Sequence, residues 1–117
     1  MIYEVRTYRL KLRTVPEFMK KFEAAYENGR KQLSPLAAFF YSEVGPLNEV
    51  IHIWPYKDLA EREAVRTEAI KTGVWPPDIN DMIHEMKAEV FTPFPFMTKF
   101  LSGEHGPLFE YREYAVN

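Results

Sequence analysis

Polar and apolar residues alternate along IYEVRTYRL at positions 2 to 10, a period of two that predicts a β-strand. Ile2, Glu4, Arg6, Tyr8 and Leu10 fall on one face, and Tyr3, Val5, Thr7 and Arg9 on the other. The period then lengthens. Val15, Phe18, Met19, Phe22 and Tyr26 recur at helical spacing behind Thr14 and Glu17, an S/T-x-x-E capping pattern with Pro16 in the first turn. The spacing predicts a helix to about Leu33, stopped by Ser34-Pro35, because the residue before a proline is driven out of helical backbone. Two extended runs follow, AAFFYSEV at 37 to 44 and NEVIHIW at 48 to 54, and the Gly45-Pro46-Leu47 link between them predicts a hairpin.

Asp58 and Glu61 repeat the capping signal ahead of a stretch of helix formers, Leu59 to Thr72, closed by Gly73. Trp75-Pro76-Pro77 breaks it. Ile79, Met82, Ile83 and Met86 fall at i, i+3, i+4 and i+7, which predicts a short third helix, capped by Asp78, with that stripe in the core. Residues 88 to 96, AEVFTPFPF, read as a strand only to about Thr92, since Pro93 and Pro95 cannot donate to a ladder. The order β-α-β-β-α-β is the ferredoxin-like α+β arrangement, an antiparallel sheet with helices on one face. Its central neighbours are the strands at 2 to 10 and 48 to 54, both with large apolar or aromatic groups on both faces. The face away from the helices therefore needs a cover, and a second copy packed sheet to sheet is the economical one. A homodimer, or a higher homo-oligomer, is expected.

A chain of 117 residues bounds the answer to one compact domain. The formal charge of -2, with 15 basic residues scattered among 17 acidic ones, gives no basic stripe for a phosphate backbone, so nucleic acid is not an expected partner. Zero cysteines remove disulfides, thiol nucleophiles, iron–sulfur clusters and cysteine zinc sites. The first residues lack the charged head and apolar core of a leader, and no run reaches the roughly 18 apolar residues of a membrane span. The reading is of a soluble, cytoplasmic protein without membrane contact.

The residues resemble the NIPSNAP family, within the dimeric α+β barrel superfamily. The resemblance rests on IYEVRTYRL with its capped helix, on GPLNEVIHIWPYKDLAER at 45 to 62, and on Trp75 and FTPFPF at 91 to 96. Most specific is the second stretch, with a Gly, an Asn, a strand ending in His-x-Trp, then Tyr and an Arg one turn into the helix. The match spans residues 1–100, and it implies a four-stranded sheet per subunit, two of which pack into a barrel. The family has no single settled activity, and the wider superfamily includes cofactor-independent monooxygenases, haem-degrading enzymes and small-molecule binding proteins. Residues 101–117 form an extension outside the match. Within it LFEYREY at 108 to 114 echoes IYEVRTY at 2 to 8, so an extra strand is expected at 108–116, either the vestige of a repeat or a chance likeness of short amphipathic strands.

Two constellations carry candidate chemistry. Glu4, Arg6 and Tyr8 share a strand face with side chains about 7 Å apart, and serve either as ligand contacts or as a charge-paired seam at the subunit interface. His52 lies in an apolar strand and is either a hydrogen-bonded core residue or, with Tyr8, a proton-transfer group. With parallel central strands in their usual register, His52 faces the region of Arg6 or Tyr8, and a slip of one residue reverses this. Trp54 and Tyr56 are aromatic packing first and the wall of a flat-ligand pocket second. His52, His84 and His105 are far apart, and His84-Glu85 lacks the second His of HExxH, so no metal and no cofactor are assigned. Two functions stay open. One is a protein that takes a small, flat aromatic or polyketide-like molecule between sheet and helices, either as a binding protein or as a cofactor-independent oxygenase-like or isomerising enzyme. The other is a side-chain-filled barrel acting through assembly or partner binding. An open pocket beside His52 discriminates them.

Overall fold

The computed structural model describes residues 1–116, and Asn117, the end of the expected extension, lies outside the described residues. Strand β1 (Ile2–Leu10) leads into helix α1 (Val15–Ala25), a π-helical turn (Tyr26–Arg30) and a last turn α2 (Lys31–Leu33). Strands β2 (Ala38–Tyr41) and β3 (Glu49–Tyr56), helix α3 (Leu59–Lys71), a 3-10 turn (Asn80–Met82) and strand β4 (Ile83–Phe91) complete the order. The sheet runs β2-β3-β1-β4 and every neighbouring pair is antiparallel. This is the ferredoxin-like α+β fold expected from the sequence, with one correction to its centre: β1 and β3 are antiparallel, not parallel. A strand that leaves β1 through a helix, returns as β2 and turns through a hairpin must run opposite to β1 when it inserts beside it.

The second correction concerns residues 79–86, where no helix forms. Ile79 and Met82 are buried around the 3-10 turn, whereas Ile83 already begins β4 and Met86 is half exposed on it. A period-two signal was present: Glu85, Lys87 and Glu89 alternate with Met86, Ala88 and Val90. The apolar spacing of the flanking turn happened to mimic a helix.

Local chemistry accounts for the other boundaries. Asp58 caps α3 by accepting the Glu61 N–H at 2.8 Å, and Glu61 in return accepts the Lys57 N–H, closing a capping box. Thr14 occupies the N-cap of α1 without a side-chain cap bond, and its hydroxyl donates to the Lys11 carbonyl at 2.7 Å instead. Gly73 ends α3 with φ of 77°, backbone that a Cβ disfavours. Gly29 serves a different need, since a Cβ there would meet Val74 Cγ2 at 2.9 Å. Its absence lets the segment after α3 lie against the π turn.

The strand register sorts the sheet into two unlike faces. Ile2, Glu4, Arg6, Tyr8 and Leu10 of β1, Val50, His52, Trp54 and Tyr56 of β3, and Phe39 of β2 point toward the helices. There they pack with Phe18, Phe22, Ile79 and Met82 into the main core. Tyr3, Val5, Ile51, Ile53, Ala38 and Phe40 form a second apolar cluster on the outer face with Ala37. Both faces of the central strands are apolar, as read from the sequence. Glu4, Arg6 and Tyr8, for which a charge-paired seam at the subunit interface was one of two readings, lie on the helix side.

Candidate functional site

The antiparallel register sets Glu4 opposite Trp54 and Arg6 opposite His52, so the side chains singled out in the sequence converge in the layer between sheet and helices. Glu4 is 1% exposed, and a carboxylate so deep must be paired. Arg62 of α3 supplies the pairing: its Nε donates at 2.7 Å and its Nη2 lies 2.5 Å from the same carboxylate oxygen. Arg6 and Arg66 stand further off, at 3.6 and 3.9 Å. Glu4 is thus the acceptor for α3, in which Ala69 alone is fully buried and Val65 packs in part against the core. That helix is held to the sheet by an ion pair more than by an apolar stripe.

A second group surrounds Arg30. The π turn, closed by the Lys31 N–H to the Tyr26 carbonyl, carries the Arg30 side chain inward, and such turns frequently mark functional positions in helices. Its Nη2 donates to the Tyr56 hydroxyl at 2.6 Å, its Nη1 to the Ser34 carbonyl at 3.3 Å, and the guanidinium lies 4.1 Å from the Trp54 ring centre. Burial lowers the Arg30 pKa, with the Tyr56 hydroxyl working against it. Burial also raises the Tyr56 pKa. The cation is therefore carried by an aromatic face and neutral acceptors, with no carboxylate in hydrogen-bond contact.

His52 joins the two groups. Its Nδ1 accepts the Trp54 indole N–H at 2.8 Å, and its ring meets Tyr8 edge-on at 4.8 Å and stacks near Phe39 at 5.7 Å. Tyr8 in turn accepts the Arg6 Nε at 3.1 Å. Burial first, then the positive charges of Arg6 and Arg30, hold the His52 pKa down to about 3. With Nδ1 occupied as an acceptor, the neutral ring carries its proton on Nε2, a buried atom without a hydrogen-bond partner. This geometry suits a donor and not a base, because the lone pair that would take a proton is already engaged.

All six residues read from the sequence, Glu4, Arg6, Tyr8, His52, Trp54 and Tyr56, line this one layer. Two partners escaped that reading. Arg30 falls four residues after Tyr26 on the stripe of Phe18 and Phe22, and a charge on an apolar stripe was the available signal. Arg62 stood in the conspicuous stretch at 45 to 62 without a role, because its contact with Glu4 spans 58 positions. The layer is filled: Phe22 approaches Phe39, His52, Trp54 and Trp75 with ring centres 4.8 to 6.4 Å apart. Two open clefts lie elsewhere, one of about 350 Å³ along the start of β4 and one of about 240 Å³ between β2 and the C-terminal segment. Neither is lined by His52.

Comparison with known proteins agrees with the fold. The profile of the NIPSNAP family matches residues 3–98. Protein NipSnap of Drosophila melanogaster is 36% identical over 98 residues, 81% of this chain and 36% of its own. A crystallised protein from Agrobacterium tumefaciens superposes with a TM-score of 0.76 at 35% identity, covering 82% of this chain and 96% of that one. The crystal structure of an antibiotic biosynthesis monooxygenase shares the fold alone, with a TM-score of 0.62 at 15% identity over 81% of this chain and all of its own. The chain spans about a third of the length of the curated relatives it matches. Among the described residues no helix is long and apolar enough to cross a membrane.

Proposed function

The chain belongs to the NIPSNAP family, and from that premise we propose that it acts as a self-assembling module, a homodimer formed through the outer face of its sheet. The observation that carries this reading is the closure of the inner layer around His52, which is 1% exposed, engaged at Nδ1 and absent from the lining of both cavities. A site for turnover needs a reachable reacting group, and this one is walled in. The outer face has the opposite character. Tyr3, Val5, Ile51, Ile53 and Phe40 form an apolar strip, flanked on β4 by Glu85, Lys87 and Glu89, whose mixed signs suit an isologous contact between two copies. A cytoplasmic setting goes with this reading, since a chain with zero cysteines draws no stability from an oxidising compartment. Sedimentation over a wide concentration range tests it. Reversible dimerisation abolished by Ile51→Lys is expected, and a monomer at every concentration defeats the proposal.

Charge balance favours a second reading, in which a small, flat aromatic or polyketide-like anion enters the layer. Arg6, Arg30, Arg62 and Arg66 share it with one buried carboxylate, Glu4. In that case Arg6 and Arg30 steady negative charge, Tyr8 and the Nε2–H of His52 donate hydrogen bonds, and Trp54 and Tyr56 form the wall. Planar phenols and aromatic carboxylates would then quench the fluorescence of Trp54 and Trp75 saturably and raise the melting temperature. No response from such a panel leaves assembly alone.

A further inference from the structure

Residues 92–116 form no helix or strand, yet they are not free of the domain. The Phe100 N–H donates to the Tyr3 hydroxyl at 2.8 Å, with the two rings 6.4 Å apart. Further on, the Phe109 ring lies 5.0 Å from Phe40 on β2. Between these anchors Ser102, Gly103 and His105 roof the cavity of about 240 Å³ over Ala37 and Phe40. The chain end therefore lies over the outer face, from Tyr3 of β1 to Phe40 of β2.

This cover fits poorly. It makes no ladder hydrogen bonds with the sheet, it leaves a half-open cleft beneath it, and it turns Leu101, Leu108 and Tyr114 to solvent at 50%, 77% and 76% exposure. A native-like cover fills its voids and buries its large side chains. The strip beneath it, Tyr3, Val5, Ile53 and Phe40, is the surface assigned above to a second copy, and one strip cannot hold both covers.

We infer that residues 97–113 are an intrachain strap that occupies the self-association face and competes with a second copy of the chain for it. The inference rests on the assembly reading. It also gives the LFEYREY stretch a role that needs no strand: in the single chain residues 108–116 are not in a ladder, and Phe109 serves as an anchor. Displacing the strap exposes its aromatic anchors and frees the strip, so strap binding and dimer formation are alternative ways of covering the same apolar surface.

Two full-length variants test it. F100S/F109S loosens the strap, and F40C/F109C, in a chain that otherwise has zero cysteines, locks it when oxidised and releases it when reduced. Light scattering and sedimentation read the mass, and the near-ultraviolet signal of Trp54 and Trp75 reports that the inner layer stays folded. Dimerisation about tenfold tighter in F100S/F109S is expected, together with an oxidised F40C/F109C that stays monomeric and, on reduction, associates as tightly as the single variant F40C, the baseline that absorbs the loss of the Phe40 ring from the strip. Should loosening weaken the dimer, or the oxidised lock associate as well as the reduced form, the strap is part of the interface or irrelevant to it and the inference falls while assembly stands. If all forms are monomers at every concentration, the strap with its dithiol reduced included, both the inference and the assembly reading fall. An F100S/F109S protein that loses the tryptophan signal leaves the decision to the redox pair.

Discussion

The two faces of one sheet solve the same problem in different ways. The inner face carries Glu4, Arg6, His52 and Trp54 and is closed by α1 with its π turn and by α3. Each buried polar side chain has a specific partner there, Glu4 with Arg62, Arg30 with Tyr56 and His52 with Trp54, although Glu4 Oε1, Arg30 Nε and His52 Nε2 have no hydrogen-bond partner. The outer face carries no buried charge in its centre and is closed by an irregular segment through rings at Phe100 and Phe109. Partners with fixed geometry make the inner cover hard to exchange. Apolar contact has no such geometry, so the outer cover is replaceable. The contrast teaches that the polar residues of this chain hold the fold, while its apolar surplus governs what the fold meets.

The strongest way to break that contrast is to remove a charge from the inner face. Arg62→Met strips Glu4 of its main partner and leaves a carboxylate buried, which costs about 3 to 5 kcal/mol when one member of a buried pair is lost. Urea unfolding should show a loss of that size, with much of it regained in the double variant Arg62→Met, Glu4→Gln. Two losses that simply add would mean the pair does not hold α3 to the sheet.

Acid should act on the same face. The His52 imidazole ordinarily titrates near 6.5 and is held to about 3 in the fold by burial and by Arg6 and Arg30. The unfolded chain therefore binds a proton that the folded chain refuses between those values. Stability contributed by the neutral ring is complete above about pH 6.5 and is lost as pH falls toward 3, at up to about 1.4 kcal/mol per unit. The slope from this site should vanish in His52→Gln, and a nuclear magnetic resonance titration should show the native ring unprotonated at pH 5. A ring that titrates freely near neutrality would move His52 from core residue to reachable donor and revive the ligand reading.

How much of this was legible in the sequence follows the range of each interaction. β1, α1, the hairpin and α3 announce themselves through periodicity and through Asp58, all signals within a few residues. β4 was misread because four apolar residues spanning a turn and a strand imitate one helical face, while the Glu85-Lys87-Glu89 alternation that marks the strand is short. The candidate residues share one layer of the fold, but their meeting was not legible: Arg6 faces His52 only through a register between strands more than 40 positions apart, and no local pattern encodes that pairing. The surface role of the last residues was hidden for the same reason, since Phe100 meets Tyr3 across 97 positions.

On the outer face a charge should change assembly while sparing the fold. Ile51→Lys sits in a half-buried position opposite Thr7, where the long side chain can keep its ammonium in water and lay its stem along the strip. The cost to the isolated fold should stay within about 1 kcal/mol by urea unfolding, while dimerisation disappears in sedimentation. A global loss as large as that of Arg62→Met would show that the two faces are equally part of the core, and the contrast would collapse.

The smallest expected effect is the most local. Tyr3→Phe keeps the ring that packs on Phe100 and removes only the hydroxyl that accepts its N–H. Phe100 is itself partly exposed, so water can replace the lost acceptor, and the change is worth about 0.5 to 1.5 kcal/mol. Because the strap opens without the domain, that energy should appear in strap opening alone: amide exchange at Phe100 faster by about twofold to tenfold, with the Trp54 indole and the global midpoint unmoved. An equal acceleration at Trp54 would mean that the segment and the inner layer open together. In that event the outer cover is no more replaceable than the inner one, and the chain has a single cooperative core with two polar extremes.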